Sequence, residues 1–131
     1  MIGIDTNVLL RYLAQDDPRQ TAAATRFIES LRPDARGHIA LLTVAELVWV
    51  LKRRCRATAA ELAAAILQLL SDERFVVQDR HALWLALDIV ERSNADLADA
   101  LIACVDLERG CSHTVTFDRA ALRIPGMALL H

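Results

Sequence analysis

Carboxylates carry the chemistry that this chain offers. Asp5 closes the apolar stretch that follows Met1, and Glu46 comes soon after a second apolar stretch. Asp99 stands early in a later helical segment, and Asp118 follows residues 113–117 directly. Each falls where a strand is expected to end or a helix to begin. In open α/β sheets this carboxyl edge is where ligands bind, so the four acids are expected on one rim. Carboxylates crowded together raise one another's pKa, and a cluster near neutral pH persists when a cation neutralises it. Oxygen donors of this kind, without His or Cys, select Mg²⁺ or Mn²⁺ over Zn²⁺. A pair of such cations, or one cation and a positioned water, activates the attacking oxygen and steadies the leaving oxygen of an in-line phosphodiester displacement. That chemistry needs no side-chain nucleophile, and the sequence has neither a GxSxG elbow nor a Cys/His pairing to supply one.

Each acid also has a structural reading. Thr43 and Glu46 match the spacing of a capping box, Asp99 suits a helix N-terminus electrostatically, and Asp118 can cap the short helical turn after it. Asp5 is harder to account for in this way, because an acid ending an apolar strand at the floor of a sheet needs a partner when buried.

The elements that must position these residues follow from periodicity and caps. Residues 1–5 read as a short buried strand and 8–13 as a helix. Asp17 before Pro18 reads as an N-cap with proline at the first helical position, opening a helix to about residue 31. Residues 38–42 read as a second strand followed by a helix from Thr43. Thr58 and Glu61 repeat the capping-box spacing ahead of a helix that ends near Ser71. Residues 74–78 read as a strand, and Asp79 as the cap of a helix to about Arg92. Residues 94–109 read as a further helix stopped by Gly110. Residues 113–117 are expected as a strand, 118–122 as a helical turn and 127–130 as an edge strand. Short apolar strands separated by helices predict a parallel sheet covered on both faces: a three-layer α/β/α sandwich in a single domain, 1–131.

Composition agrees with that class. Apolar residues make up 54% of the 131 and aromatics 5%, so the core is expected to be Ala, Leu, Val and Ile, in a chain long enough to bury one without staples. Cys55, Cys104 and Cys111 are odd in number and form no CxxC pair, which argues against a disulfide framework and a thiolate zinc site and favours a reducing cytoplasm. No signal peptide is expected, since Asp5 interrupts the N-terminus, and no apolar run approaches the roughly 18 residues of a membrane span. The net charge of −2 is unusual for a nucleic-acid partner, but 14 of the 15 basic residues are Arg, the side chain suited to bidentate phosphate contacts. If acids hold cations, the remaining surface is positive.

The segments Ile4-Asp5-Thr6-Asn7 with Val8-Leu9, Thr43-Val44-Ala45-Glu46-Leu47, Asp96-Leu97-Ala98-Asp99-Ala100-Leu101-Ile102-Ala103 and Thr114-Val115-Thr116-Phe117-Asp118 span almost the whole chain. Their order and distances resemble the four motifs of the PIN-domain family, particularly the VapC-type toxin ribonucleases of type II toxin-antitoxin systems. The resemblance implies that Asp5, Glu46 and Asp99 are the core metal ligands, Asp118 a fourth acid and Asp96 an accessory acid at the edge of the site. It also places Thr116, Thr6 and Asn7 close by, as groups that orient a ligand or hydrogen-bond near the first carboxylate. It implies an RNA substrate, Mg²⁺ or Mn²⁺, a homodimer, and a small antitoxin whose helical tail fills a groove. No acid of the pattern is missing.

Arg11, within two turns of Asp5, and Arg119 and Arg123, just after Asp118, are the candidates for phosphate contacts; the alternative is solvated surface. The run Lys52-Arg53-Arg54-Cys55-Arg56 reads first as cations complementing a helix C-terminus and second as an RNA-tracking patch. Leu62, Ile66, Leu69 and Leu70 form one apolar stripe. Val44, Leu47, Val48, Trp49, Val50 and Leu51 surround much of a helix, which points either to a partner or to a tightly packed layer. The four histidines show no zinc-ligand spacing.

The leading expectation is therefore a metal-dependent endoribonuclease toxin. The alternatives are a housekeeping PIN nuclease in RNA processing, a haloacid-dehalogenase-like phosphohydrolase with Asp5 as nucleophile, and a non-catalytic binding module of the same fold. The phosphohydrolase reading fits poorly, because Asn7 stands where that family has a second acid and Lys52 is the only lysine.

Overall fold

The computed structural model describes residues 1–131. Its elements run β1 (Ile2–Gly3), α1 (Thr6–Ala14), α2 (Pro18–Ser30), β2 (Gly37–Ile39), α3 (Leu41–Arg53), α4 (Ala59–Leu70), β3 (Phe75–Val77), α5 (Arg80–Ser93), α6 (Leu97–Glu108), β4 (Thr114–Thr116), a 3₁₀ turn (Arg119–Arg123) and β5 (Met127–Leu129). They fall into two compact units, Met1–Gln78 and Asp79–His131. No helix is long and apolar enough to cross a membrane.

In the first unit three parallel strands lie in the order β1-β2-β3, with Ile2 opposite Gly37 and Gly37 opposite Phe75. Parallel neighbours need a crossover, and the helix pairs α1–α2 and α3–α4 provide the two here. Gly37 leaves room for packing: a Cβ there would meet the side-chain ends of Ile4 and Leu31, which would have to move aside. Leu9, Ile28, Ile39, Leu47, Ile66 and Leu69 are fully buried around this sheet, each worth roughly 1.5–3 kcal/mol of hydrophobic stabilisation. Arg74 fastens the end of α2 to the start of β3. It donates to both carboxylate oxygens of Asp72, at 2.7 Å for the shortest contact, and to the Ile28 carbonyl at 3.2 Å.

Side-chain caps fix three of the six helix starts, those of α2, α4 and α6, whereas Asp79, expected to cap α5, makes no side-chain cap hydrogen bond. The Asp17 carboxylate accepts from the backbone N–H groups of Arg19 and Gln20, with Pro18 at the first helical position. The Thr58/Glu61 capping box is complete in both directions. The stripe Leu62, Ile66, Leu69 and Leu70 is wholly buried, so the packed-layer reading holds for α4. Two further boundary expectations fail in the first unit. The second strand ends at Ile39 and α3 already begins at Leu41, so Thr43 lies inside the helix and forms no capping box with Glu46. The first free N–H, that of Leu41, is instead taken by the side-chain carbonyl of Gln78 at 2.8 Å. The first strand is also shorter than 1–5, and Ile2 and Gly3 are exposed; burial starts at Ile4.

In the second unit α5 and α6 pack together, and Ala82 and Ala86 of α5 and Ala100 and Ala103 of α6 are buried. The helix expected over 94–109 begins later. Asn94 is in the left-handed region at φ 56° and ends α5, and Asp96 is the N-cap of α6. Gly110, at φ 94°, follows α6 in the conformation that glycine accommodates best. β4 and β5 pair in parallel, Thr114 opposite Met127, joined by the 3₁₀ turn. The Thr114 hydroxyl ties β4 to α6 by donating to Asp106 at 2.8 Å. Neither strand is fully buried, unlike β2 and β3, whose alternate residues are.

Candidate active site

The chain's parallel topology puts the carboxyl ends of β1 and β2 at one edge of the three-stranded sheet, and α1 and α3 both start there. Asp5 is the N-cap residue of α1, with extended backbone, and its main-chain carbonyl accepts from Val8 and Leu9. Its carboxylate makes no capping hydrogen bond. The side chain is exposed, so the expectation of a buried acid at the floor of the sheet is corrected. The acid stands in solvent because the strand ends two residues earlier and the chain has already turned into the helix.

Glu46 is the sixth residue of α3, in its second turn and exposed. At that depth it caps nothing, which removes the structural reading that the Thr43 spacing suggested. Thr6 is buried and Asn7 exposed at the start of α1. A cavity of about 520 Å³ opens beside Asp5 between β1, α1 and α2, with Asn7, Val8, Arg11, Gln20 and Phe27 in its wall. Arg11 is held in place there: its Nε donates to Gln20 at 2.6 Å and its Nη1 to Asp16 at 2.7 Å. The guanidinium in turn keeps the Asp16 carboxyl below its ordinary pKa. Asp16 and Gln20 were not singled out by the sequence, because neither belongs to a motif and their role is to orient a side chain nine or fewer positions away.

The second unit's acids are placed differently. Asp96 caps α6 by accepting from the Asp99 N–H at 3.1 Å, and Asp99 lies in the first turn of that helix, both half-buried. Asp118 is exposed and caps the 3₁₀ turn, accepting from Ala120 at 2.9 Å. Thr116 accepts from the Asp118 N–H at 3.0 Å, so its hydroxyl shapes the backbone that carries the acid. Arg119 is exposed, and Arg123 reaches the Ser93 carbonyl at 3.4 Å.

Asp5 and Glu46 thus share an edge of the sheet, and Asp96 and Asp99 share a helix start. No group of three or more His, Cys, Asp or Glu side chains stands close enough to hold a metal ion. The donor chemistry nevertheless fits a hard cation: Asp5 and Glu46 offer exposed carboxylate oxygens that no structural hydrogen bond occupies.

Helices alternating with short parallel strands define an α/β protein. The PIN domain profile matches residues 2–127, and the chain belongs to the PIN domain family. Its fold class is that of the family, the three-layer α/β/α type expected from the sequence. No curated protein sequence matches the chain. PIN domains are generally metal-dependent nucleases, and this membership stands against the haloacid-dehalogenase-like alternative.

Proposed function

We propose that the chain is a Mg²⁺- or Mn²⁺-dependent endoribonuclease that hydrolyses RNA phosphodiester bonds and serves as the toxin of a VapBC-type toxin-antitoxin module in the cytoplasm. Family membership supports the nuclease class. The observation that carries the residue assignment is that Asp5 and Glu46, which match the first two acidic motifs, have no capping duty in the fold.

Asp5, Glu46, Asp99 and Asp118 would hold the cation, with Asp96 as accessory acid. When bound, the ion supplies charge neutralisation at the phosphodiester and a lowered pKa for water. The protein's own groups do the positioning. Asn7 would hydrogen-bond beside the first carboxylate, and Arg119 and Arg123, which follow Asp118, would contact phosphate. Arg11, committed to Asp16 and Gln20, contributes its positive field more than a free donor set. Partner surfaces for a homodimer and for the antitoxin are favoured by exposed apolar side chains of the second unit, Ile102 and Leu107 on α6 and Phe117 after β4.

The test is to incubate purified protein with RNA, with and without Mn²⁺, and to sequence the ends of the fragments. Cleavage is expected to require the cation and to recur at defined positions. Cleavage indifferent to chelator would overturn the metal assignment. A small antitoxin gene beside this one, and an antitoxin that suppresses the cleavage, separate the toxin from a housekeeping PIN nuclease.

A further inference from the structure

α3 turns one stripe of side chains outward. Leu42, Glu46, Trp49 and Arg53 are spaced by four, three and four residues and all are exposed, a spacing that keeps them on one helix face. Val44, Leu47, Val48 and Leu51, on the other side, are buried. The core therefore has all the apolar contact it draws from α3, and Leu42, 81% exposed, and Trp49, 55% exposed, are surplus to it. Trp49 is one turn from Glu46, about 4.5 Å along the axis, and Arg53 is about 10 Å from Glu46.

Beyond Trp49 the surface is cationic. Arg53, Arg54 and Arg56 are all exposed, and no Asp or Glu occurs between Leu47 and Ala60. The ion pairs of the chain engage other arginines, such as Arg11, Arg74 and Arg92. Two cations in the last turn of α3 already complement the helix dipole; Arg56, outside the helix at φ 52°, does not serve it. An indole face next to a run of arginines matches what a single-stranded polynucleotide presents, bases for stacking and phosphates for pairing.

We propose that the outward face of α3 is a substrate subsite, in which Trp49 stacks a base of single-stranded RNA and Arg53, Arg54 and Arg56 hold the backbone beyond it. Leu42 borders the platform on the other side of Glu46. This rests on the nuclease reading of Glu46, and it deepens that reading by naming a base-stacking subsite and by fixing the direction in which the strand leaves the acid.

Binding is measured with the full chain and short fluorescent single-stranded oligoribonucleotides in EDTA, so that cleavage plays no part. In a Trp84→Phe background Trp49 is the one remaining tryptophan, and RNA is expected to quench its fluorescence. Trp49→Ala is expected to weaken binding about tenfold, within the range for loss of one stacked base, while Trp49→Phe keeps most of the affinity. Arg53→Gln is expected to flatten the dependence of affinity on salt. RNA binding by Trp49→Ala at the affinity of the unaltered chain would overturn the proposal, most clearly if the same substitution turned a dimer into a monomer in sedimentation, since the face would then belong to a second copy. Failure of the nuclease reading shows separately, as RNA that binds but stays intact with Mn²⁺.

Discussion

The two units use their acids in opposite ways. In the first, structural work falls to Asp17, Glu61 and Asp72, which cap α2, cap α4 and pair with Arg74, while Asp5 and Glu46 cap nothing. In the second, two of the three motif acids themselves hold the backbone: Asp96 caps α6 and Asp118 caps the 3₁₀ turn. A carboxylate that stabilises nothing in the fold can be removed without cost to folding, and one that caps a helix cannot. Stability and activity should therefore separate in one unit and travel together in the other.

The largest expected effect tests the first half of that contrast. Asp5→Asn and Glu46→Gln should each lower cation-dependent RNA cleavage by about 100-fold or more, since even a metal's outer-shell partners are worth 10–100-fold. Thermal unfolding should move by no more than about 0.5 kcal/mol, the usual range for exposed substitutions away from structural features. Destabilisation by more than that would mean that these acids have a structural partner after all. Leu47→Ala, one residue from Glu46 but fully buried, should instead cost about 2–5 kcal/mol of stability, and it gives the scale against which the silence of Glu46→Gln is read.

Asp96→Ala probes the other half. Losing an N-cap side chain costs about 1 kcal/mol, so the unfolding midpoint should fall, and activity should fall with it. Asp96→Ser, which can still accept from the Asp99 N–H, should recover the stability. If it recovers the activity as well, Asp96 acts through the backbone it positions. If stability returns and activity does not, its charge matters in its own right. Asp118→Ala should behave similarly with a smaller stability loss, because the 3₁₀ turn it caps is short and the acid is exposed.

The same contrast explains what could be read from the chain. Local signals were legible: Asp17 before Pro18, and Thr58 with Glu61, did what their spacing predicts because donor and acceptor lie within one turn. The start of α3 was not, because its first N–H is met by Gln78, 37 positions away, and no local pattern announces an amide arriving from the end of another strand. Asn94 was misplaced for a related reason. Asn accommodates the left-handed conformation and so can end a helix as well as start one, and Asp96, two residues on, was the stronger cap. For the site, the acids were found as motif positions, but their exposure was not, since whether Asp5 is floor or rim depends on where β1 stops. The outward stripe of α3 was hidden in a segment that looks apolar all round; only the packing shows that Trp49 is left over.

The smallest effect concerns acid, and it tests a structural carboxylate of the first unit by a measurement that needs no RNA. Hydrogen bonds from Arg74 hold the Asp72 carboxyl below its ordinary pKa despite partial burial. A carboxylate whose pKa is lowered by folding contributes stability that is fully present above its unfolded value, near 3.8, and is lost as pH falls through the folded value. The unaltered chain should therefore exceed Asp72→Asn in unfolding midpoint by a constant margin from neutral pH down to about 5, about one unit above the unfolded pKa. That margin should shrink as the pH is taken below 3.8. A margin that stayed constant below that pH would mean that the Arg74 pairing does not hold the Asp72 carboxyl down.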